Sequence, residues 1–149
     1  MRIVIQRVSS GSVEAGGDTV GKIGKGLAVL LGIKDDDTRQ DADYLIEKLI
    51  NLRIFDDDEG KMNLSLKDVK GELLIVSQFT LYGDCKKGRR PNYMRAASAD
   101  MARGLYDYFT DKCMEYGIKV ETGIFQAEML VKINNDGPVT ILMDSERQF

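Results

Sequence analysis

Two short polar stretches could do chemistry. The first, Ser77-Gln78-Phe79-Thr80-Leu81, sets two hydroxyls around a primary amide directly behind the apolar run Leu73-Leu74-Ile75-Val76. The second, Asn135-Asp136-Gly137-Pro138-Val139-Thr140, combines an amide, a carboxylate and a conformationally restricted Gly-Pro pair. On the residues alone each also has a simpler reading. Ser77, Gln78 and Thr80 suit a strand end whose hydroxyls bond to nearby backbone, and Asn135 to Thr140 suits a hairpin turn.

What those stretches can catalyse is narrowed by a gap: the chain has no histidine. The commonest general base and the commonest metal ligand are missing together, so Ser-His-Asp and Cys-His machinery is excluded. Histidine-based zinc sites are excluded on the same ground, and Cys85 and Cys113 alone cannot complete a thiolate site. A mechanism without metal or cofactor is the expectation.

Other candidates read as structure. In Gly21-Lys22-Ile23-Gly24-Lys25-Gly26, Lys25 is followed by Gly26 and then by an apolar strand pattern, which makes a hairpin turn and not a phosphate loop. Asp56, Asp58 and Gly60 resemble a calcium loop only loosely: the glycine comes one position early and Lys67 stands where the closing carboxylate belongs. Asp35-Asp36-Asp37 reads as a solvated turn near the positive end of a helix. From Lys86 to Arg95 the chain carries Lys86, Lys87, Arg89, Arg90 and Arg95 without any acidic residue, and Tyr82 and Tyr93 flank this cluster. That combination suits a single-stranded RNA end, although by itself it also suits an exposed, solubilising loop.

The elements that must hold these residues follow from periodicity. Arg2 to Val8 and Leu27 to Ile33 read as strands, with a turn at Gly16-Gly17-Asp18. Thr38 and Asp41 form a capping box ahead of Ala42, Leu45, Ile46, Leu49 and Ile50, which places an amphipathic helix near Arg39 to Leu52. Ser98 caps a second helix with a stripe of Ala102, Leu105, Tyr106, Phe109 and Cys113, and Gly117 ends it. Alternation over Ile118 to Ile124, Met129 to Ile133 and Val139 to Met143 predicts three consecutive antiparallel strands.

With 149 residues, 43% apolar and 30% charged, the chain is expected to fold as one globular domain spanning residues 1–149. Neither a signal peptide nor a membrane span is expected, and the two cysteines read as reduced thiols of a cytoplasmic protein. A net charge of -3 argues against wrapping duplex nucleic acid, so any contact with RNA must be local.

Taken together, the stretches at 77–81 and 135–140 resemble the two signature motifs of the D-aminoacyl-tRNA deacylases, also called D-tyrosyl-tRNA deacylases. Ile5-Gln6-Arg7-Val8, Arg53-Ile54-Phe55, Gly60-Lys61-Met62-Asn63, Arg90-Pro91 and Leu105-Tyr106-Asp107-Tyr108-Phe109 extend the likeness over the whole chain. Ser77 and Phe79 follow the main family and not the animal-type branch, which carries Pro-Gln-Ala-Thr; Gly11, where alanine is expected, departs from the pattern outside the motifs.

The resemblance implies a three-layer α/β/β fold with mixed strands and two main helices, assembled as a homodimer, and hydrolysis of the ester between a D-amino acid and tRNA. Ser77, Gln78, Phe79 and Thr80 are implied around the terminal adenosine, with the Phe79 N–H facing the ester carbonyl. Gly137-Pro138 is implied as a cis pair entering the neighbouring subunit's pocket to exclude L-amino acids. Arg7 is implied to orient that pair, the Ala102 carbonyl to face the substrate amino group, and Phe125 and Met129 to line the cavity. The expected partner is tRNA carrying a D-amino acid or glycine, glycyl-tRNA(Ala) included. An ester is already an activated acyl group, so water attack helped by the ribose 2′-hydroxyl is preferred over attack by Thr80, which has no base beside it.

Overall fold

The computed structural model describes residues 1–148. Strand β1 (Arg2–Ala15) turns at Gly16 and Gly17 into β2 (Asp18–Ile23), which continues as β3 (Gly26–Gly32). After helix α1 (Arg39–Asn51) come the short β4 (Phe55–Asp56) and β5 (Met62–Leu64), then β6 (Glu72–Ser77) and a 3-10 turn over Phe79–Tyr82. Helix α2 (Ala99–Glu115), β7 (Val120–Thr122) and β8 (Met129–Asp144) complete the order.

β1 is the axis of the sheet. β2 and β3 both lie antiparallel to it, Ala15 opposite Asp18 and Arg2 opposite Gly32. Gly24-Lys25 is therefore not the expected hairpin turn. It is a bend in one long arm, because β2 and β3 share a neighbour and do not pair with each other. β6 joins β3 in parallel and β7 joins β6 in parallel. The sheet then curls until a Cβ on Gly21 would lie 2.5 Å from the Thr122 carbonyl oxygen, so it is nearly closed.

The tail departs most from expectation. Instead of three consecutive antiparallel strands, β7 is parallel to β6, and residues 129–144 form one strand running the length of β1. The 135–140 stretch is not a hairpin turn: Asn135 pairs with Val8 and Thr140 with Gln6, so residues 136–139 bulge out opposite Arg7. Such a bulge changes which side chains face which side of a sheet. Met129, Val131 and Ile133 pack on one core with Val8, Val13, Leu74 and Val76. Past the bulge, Val139, Ile141 and Met143 pack on the other core with Ile3, Ile5 and the buried faces of both helices. The two clusters are the two interiors of the expected α/β/β arrangement, one under the helices and one inside the curl.

The helices follow their patterns. Thr38 N–H donates to the Asp41 carboxylate at 2.8 Å, closing the capping box, and Ala42, Leu45, Ile46, Leu49 and Ile50 are buried. On α2 the inner stripe is Tyr106, Phe109, Thr110 and Cys113, with Ala102 and Leu105 half-buried. Asp37, read as solvated, is buried. Its carboxylate pairs with the Met1 ammonium and accepts from the Lys34 N–H at 2.8 Å, because β1 begins inside the protein. The 56–60 segment is a turn whose Asp57 carboxylate accepts from Glu59 N–H, Lys61 N–H and the Asn63 amide. Both cysteines are free thiols. No helix among the described residues is long and apolar enough to cross a membrane.

Candidate functional site

Strand β6 is buried from Leu73 to Val76 and emerges at Ser77, at the carboxyl end of a parallel strand, where open sheets of this type gather their sites. The chain does not continue straight. Gln78 N–H donates to the Leu31 carbonyl at 2.8 Å, and the backbone then winds into the 3-10 turn Phe79–Tyr82. Phe79 and Thr80 lead the turn, so their N–H groups have no acceptor inside it. The Gln78 amide donates to the Thr80 hydroxyl. Phe79 is 58% exposed, and its ring meets Tyr93 edge-on at 5.2 Å between centres.

Beside this turn is a cavity of about 520 Å³. Ser77, Gln78 and Phe79 line one side, and Ala102 of α2, Phe125 and Met129 line another. Six of the expected site residues thus meet around one volume, which falls within the range of small-molecule sites. Thr80 stands at its edge, bonded to Gln78. Sequence reasoning missed the contributions of Ala97, Gln126 and Val131. Nothing in their types marks them; Gln126, with φ of 65°, enters only because the segment before β8 turns there.

Phe125 is held from below by Tyr106, ring centres 5.7 Å apart. The Tyr106 hydroxyl donates to the Ile75 carbonyl at 2.7 Å, tying α2 to the strand that carries Ser77. Burial pushes its phenol up to about 12, so it remains a neutral donor. No side chain lining the cavity is an acid, a base or a thiol. Within the described residues this site can hold, shape and donate through N–H and O–H groups, but it contains no titrating base.

The second motif is built elsewhere on the same chain. Gly137-Pro138 is a cis peptide at the crest of the β8 bulge. Neither residue lines the cavity, and neither does Arg7. Arg7 is 7% exposed and donates through Nη1 to the Ile54 carbonyl at 2.7 Å and through Nε to the Asp136 carbonyl at 3.2 Å, with the Asp56 carboxylate at 3.4 Å. Asn135 closes the base of the bulge: its amide donates to the carbonyls of Arg7 and Val139, both at 3.0 Å. The Thr140 hydroxyl in turn donates to the Asn135 amide oxygen at 3.4 Å, which accounts for the amide and the hydroxyl that bracket the Gly-Pro pair. Their reward is local bracing, not contact with the cavity.

The basic run lies on the exposed loop after the 3-10 turn, pinned by an Asp84–Asn92 bridge. Lys86, Lys87, Arg89 and Arg90 are exposed. Arg95 differs from them: its guanidinium lies 3.8 Å from the Glu146 carboxylate and over the Tyr82 ring, which makes it an anchor of the loop's base. Through the Tyr93–Phe79 contact the loop adjoins the cavity.

A family profile described as D-Tyr-tRNA(Tyr) deacylase matches residues 4–144. The chain is 62% identical to a protein of Thermosipho africanus named D-aminoacyl-tRNA deacylase, over all of both chains. It is 58% identical, again end to end, to a protein of that name from Clostridium perfringens. Among solved structures, one titled c-Myc DNA Unwinding Element Binding Protein superposes with a TM-score of 0.91 at 39% identity, covering 97% of this chain and 98% of that one. A second, titled as a probable eukaryotic D-amino acid tRNA deacylase, gives 0.83 at 21% identity over 96% and 98%, a likeness of fold.

Proposed function

The chain belongs to the D-Tyr-tRNA(Tyr) deacylase family, and from that premise we propose that it hydrolyses D-aminoacyl-tRNA to free D-amino acid and tRNA. The observation that carries this reading is the cavity itself, with Ser77, Gln78 and Phe79 at the exit of β6 and no titratable lining. An aminoacyl ester needs orientation and charge stabilisation more than a strong nucleophile, and those are what such a wall offers.

In this mechanism water adds to the ester carbonyl carbon, the carbonyl oxygen becomes an oxyanion, and the C–O bond to the ribose 3′-oxygen breaks with a proton returned to that oxygen. The leading N–H groups of the 3-10 turn, Phe79 first, receive the oxyanion; one well-aimed donor contributes about 3 kcal/mol. The ribose 2′-hydroxyl assists the attacking water. Thr80 is no nucleophile: its oxygen accepts from the Gln78 amide and has no base beside it. Ala102, Phe125 and Met129 shape the space for the amino group and the terminal adenosine, and Lys86, Lys87, Arg89 and Arg90 form the phosphate-side surface, with Arg95 at the base of their loop.

Chirality is assigned to Gly137-Pro138 of a second copy. Supporting this, Arg7 and Asn135 hold the crest of the bulge rigidly away from this chain's own cavity. The same sheet also offers a self-complementary face. Val4 and Leu30 are half-buried in register beside Leu142, which is 53% exposed, and β8 has no partner along its outer edge among the described residues. A two-fold homodimer through that face covers apolar surface and gives each crest a cavity to enter. A gate that rejects L side chains without reading D ones admits glycine, so glycyl-tRNA(Ala) is a side substrate.

The test is single-turnover hydrolysis of D-tyrosyl-tRNA and L-tyrosyl-tRNA, with and without a chelator. Fast loss of the D-ester alone, unaffected by chelator, is expected; a D-ester as stable as in buffer sinks the reading.

A further inference from the structure

The turn Phe79–Tyr82 is short, and most of what fixes it is not in the motif. Its seat is the end of β3: a Cβ on Gly32 would lie 3.0 Å from the Leu81 Cβ and 3.1 Å from the Gln78 carbonyl oxygen. The missing side chain at Gly32 therefore lets the turn settle directly onto the strand. Directly across the sheet from Gly32 stands Arg2. Its Nη1 donates to the Leu81 carbonyl at 3.1 Å, and its guanidinium lies over the Tyr82 ring, 4.7 Å from the ring centre. Tyr82 is 3% exposed and ends the turn that Phe79 begins.

We propose that Arg2 is a positioning residue for deacylation: it holds the Leu81-Tyr82 half of the turn, and so sets where the leading N–H groups at Phe79 and Thr80 stand relative to the cavity. The proposal rests on the ester-hydrolase reading above.

The chemistry of arginine suits this task. One planar group donates in its own plane to a carbonyl while presenting its face to a ring, a combination a lysine ammonium cannot reproduce. The second contact on Tyr82 comes from Arg95, which is tied to Glu146, and Glu146 accepts from Lys34 at 2.5 Å. The far end of the turn is thus fixed to strands and to the C-terminal segment, whereas the Phe79 end meets the Tyr93 ring edge-on and is anchored through the Gln78 N–H on the Leu31 carbonyl. A rigid far end is what allows a short turn to hold its first donors in place. Misplacement by about 1 Å at a reacting centre costs up to about a hundredfold in rate.

The experiment compares the parent chain with Arg2→Ala, Arg2→Lys and Tyr82→Leu, measuring the single-turnover rate on D-tyrosyl-tRNA, the dissociation constant for deacylated tRNA, and the thermal unfolding midpoint. Arg2→Ala is expected to lose at least about tenfold in rate with tRNA affinity unchanged, and to regain part of the loss when methylguanidinium is added at concentrations too low to denature. Arg2→Lys should remain impaired, and Tyr82→Leu should share the rate loss without responding to methylguanidinium. A residue that merely covers Tyr82 gives a different result: an unfolding midpoint that drops while the rate of the folded fraction stays at the parent value, and no rescue. That result overturns the proposal. A parent chain inert on D-tyrosyl-tRNA overturns it too, by removing the deacylase reading beneath it.

Discussion

The Nε of Arg7 donates to the main-chain oxygen of Asp136 at 3.2 Å, so a buried cation on β1 holds the crest of a bulge on β8. The same guanidinium satisfies the Ile54 carbonyl at 2.7 Å. Arg7→Met therefore strands two carbonyls at once, one of them buried. The expected cost is about 2–3 kcal/mol of unfolding free energy, read from the urea midpoint, and discrimination between D- and L-tyrosyl-tRNA should weaken in the same variant. A variant as stable as the parent would mean that the bulge is held by Asn135 alone.

Gly137→Ala should act at the same place by a different route. The residue has φ of 117°, where an L side chain is strained, and its new Cβ would stand 2.9 Å from both the Arg7 Nη2 and the Val139 Cγ2. The methyl group thus pushes on the residue that fixes the crest. Stability should fall by about 1–3 kcal/mol, and hydrolysis of L-tyrosyl-tRNA, measured at single turnover, should rise relative to the D-ester. An unchanged D-to-L ratio would remove Gly137 from the chiral gate.

At the other motif the roles of Phe79 and Thr80 separate cleanly. Thr80→Ala removes a hydroxyl that accepts from Gln78 but has no base, so the rate should stay within about threefold of the parent. Phe79→Pro removes the leading N–H at a first-turn position that tolerates proline, and should cost about a hundredfold. Phe79→Ala, which keeps the N–H, is the control for the lost ring. Loss of hydrolysis in Thr80→Ala with tRNA binding intact would restore the hydroxyl as nucleophile.

Much of this was readable from residue types because local rules and burial agreed. The capping box at Thr38 and Asp41, the stripe on α1 and the apolar run ending at Ser77 all express short-range periodicity, and each became the expected element. What escaped depends on contacts distant in sequence. Asn135 to Pro138 has the composition of a turn, and its pairing with β1 and its bonds to Arg7, on another strand, make it a bulge within β8. Asp37 looks solvated until Met1 is placed inside the protein beside it. Gly24 and Lys25 look like a hairpin because sequence cannot show that β2 and β3 share β1 as neighbour. In the cavity, Ser77 to Phe79 were legible as a motif, while Ala97, Gln126 and Val131 carry no chemical mark and enter only by packing.

The basic loop gives an ionic-strength prediction. Arg89 and Arg90 are exposed, whereas Arg95 sits near Glu146 and Tyr82. Replacing Arg89 and Arg90 with Gln should reduce the slope of log affinity for tRNA against log salt by about 1.4, two single-strand phosphate contacts at about 0.7 each. Arg95→Gln should change that slope less and lower the unfolding midpoint more. Equal slopes in the parent and the double variant would make the loop a solvated surface.

The cavity's composition also dictates a pH profile. Its lining contains no acid, base or thiol, the chain has no histidine, and the buried Tyr106 phenol stays protonated to about 12. No protein group at the site changes charge between about pH 6 and 8, the window in which histidine-based hydrolases show their break. The substrate does titrate there, because an α-amino group has a pKa of about 8 or below. Single-turnover rates on D-tyrosyl-tRNA should therefore show at most one break, belonging to the amine. With a tRNA esterified by the corresponding D-hydroxy acid, which has no amine, the logarithm of the rate should rise steadily with pH. A break that survives this substitution would require a titrating protein group in contact with the ester, and would end the account of catalysis by orientation and N–H donation.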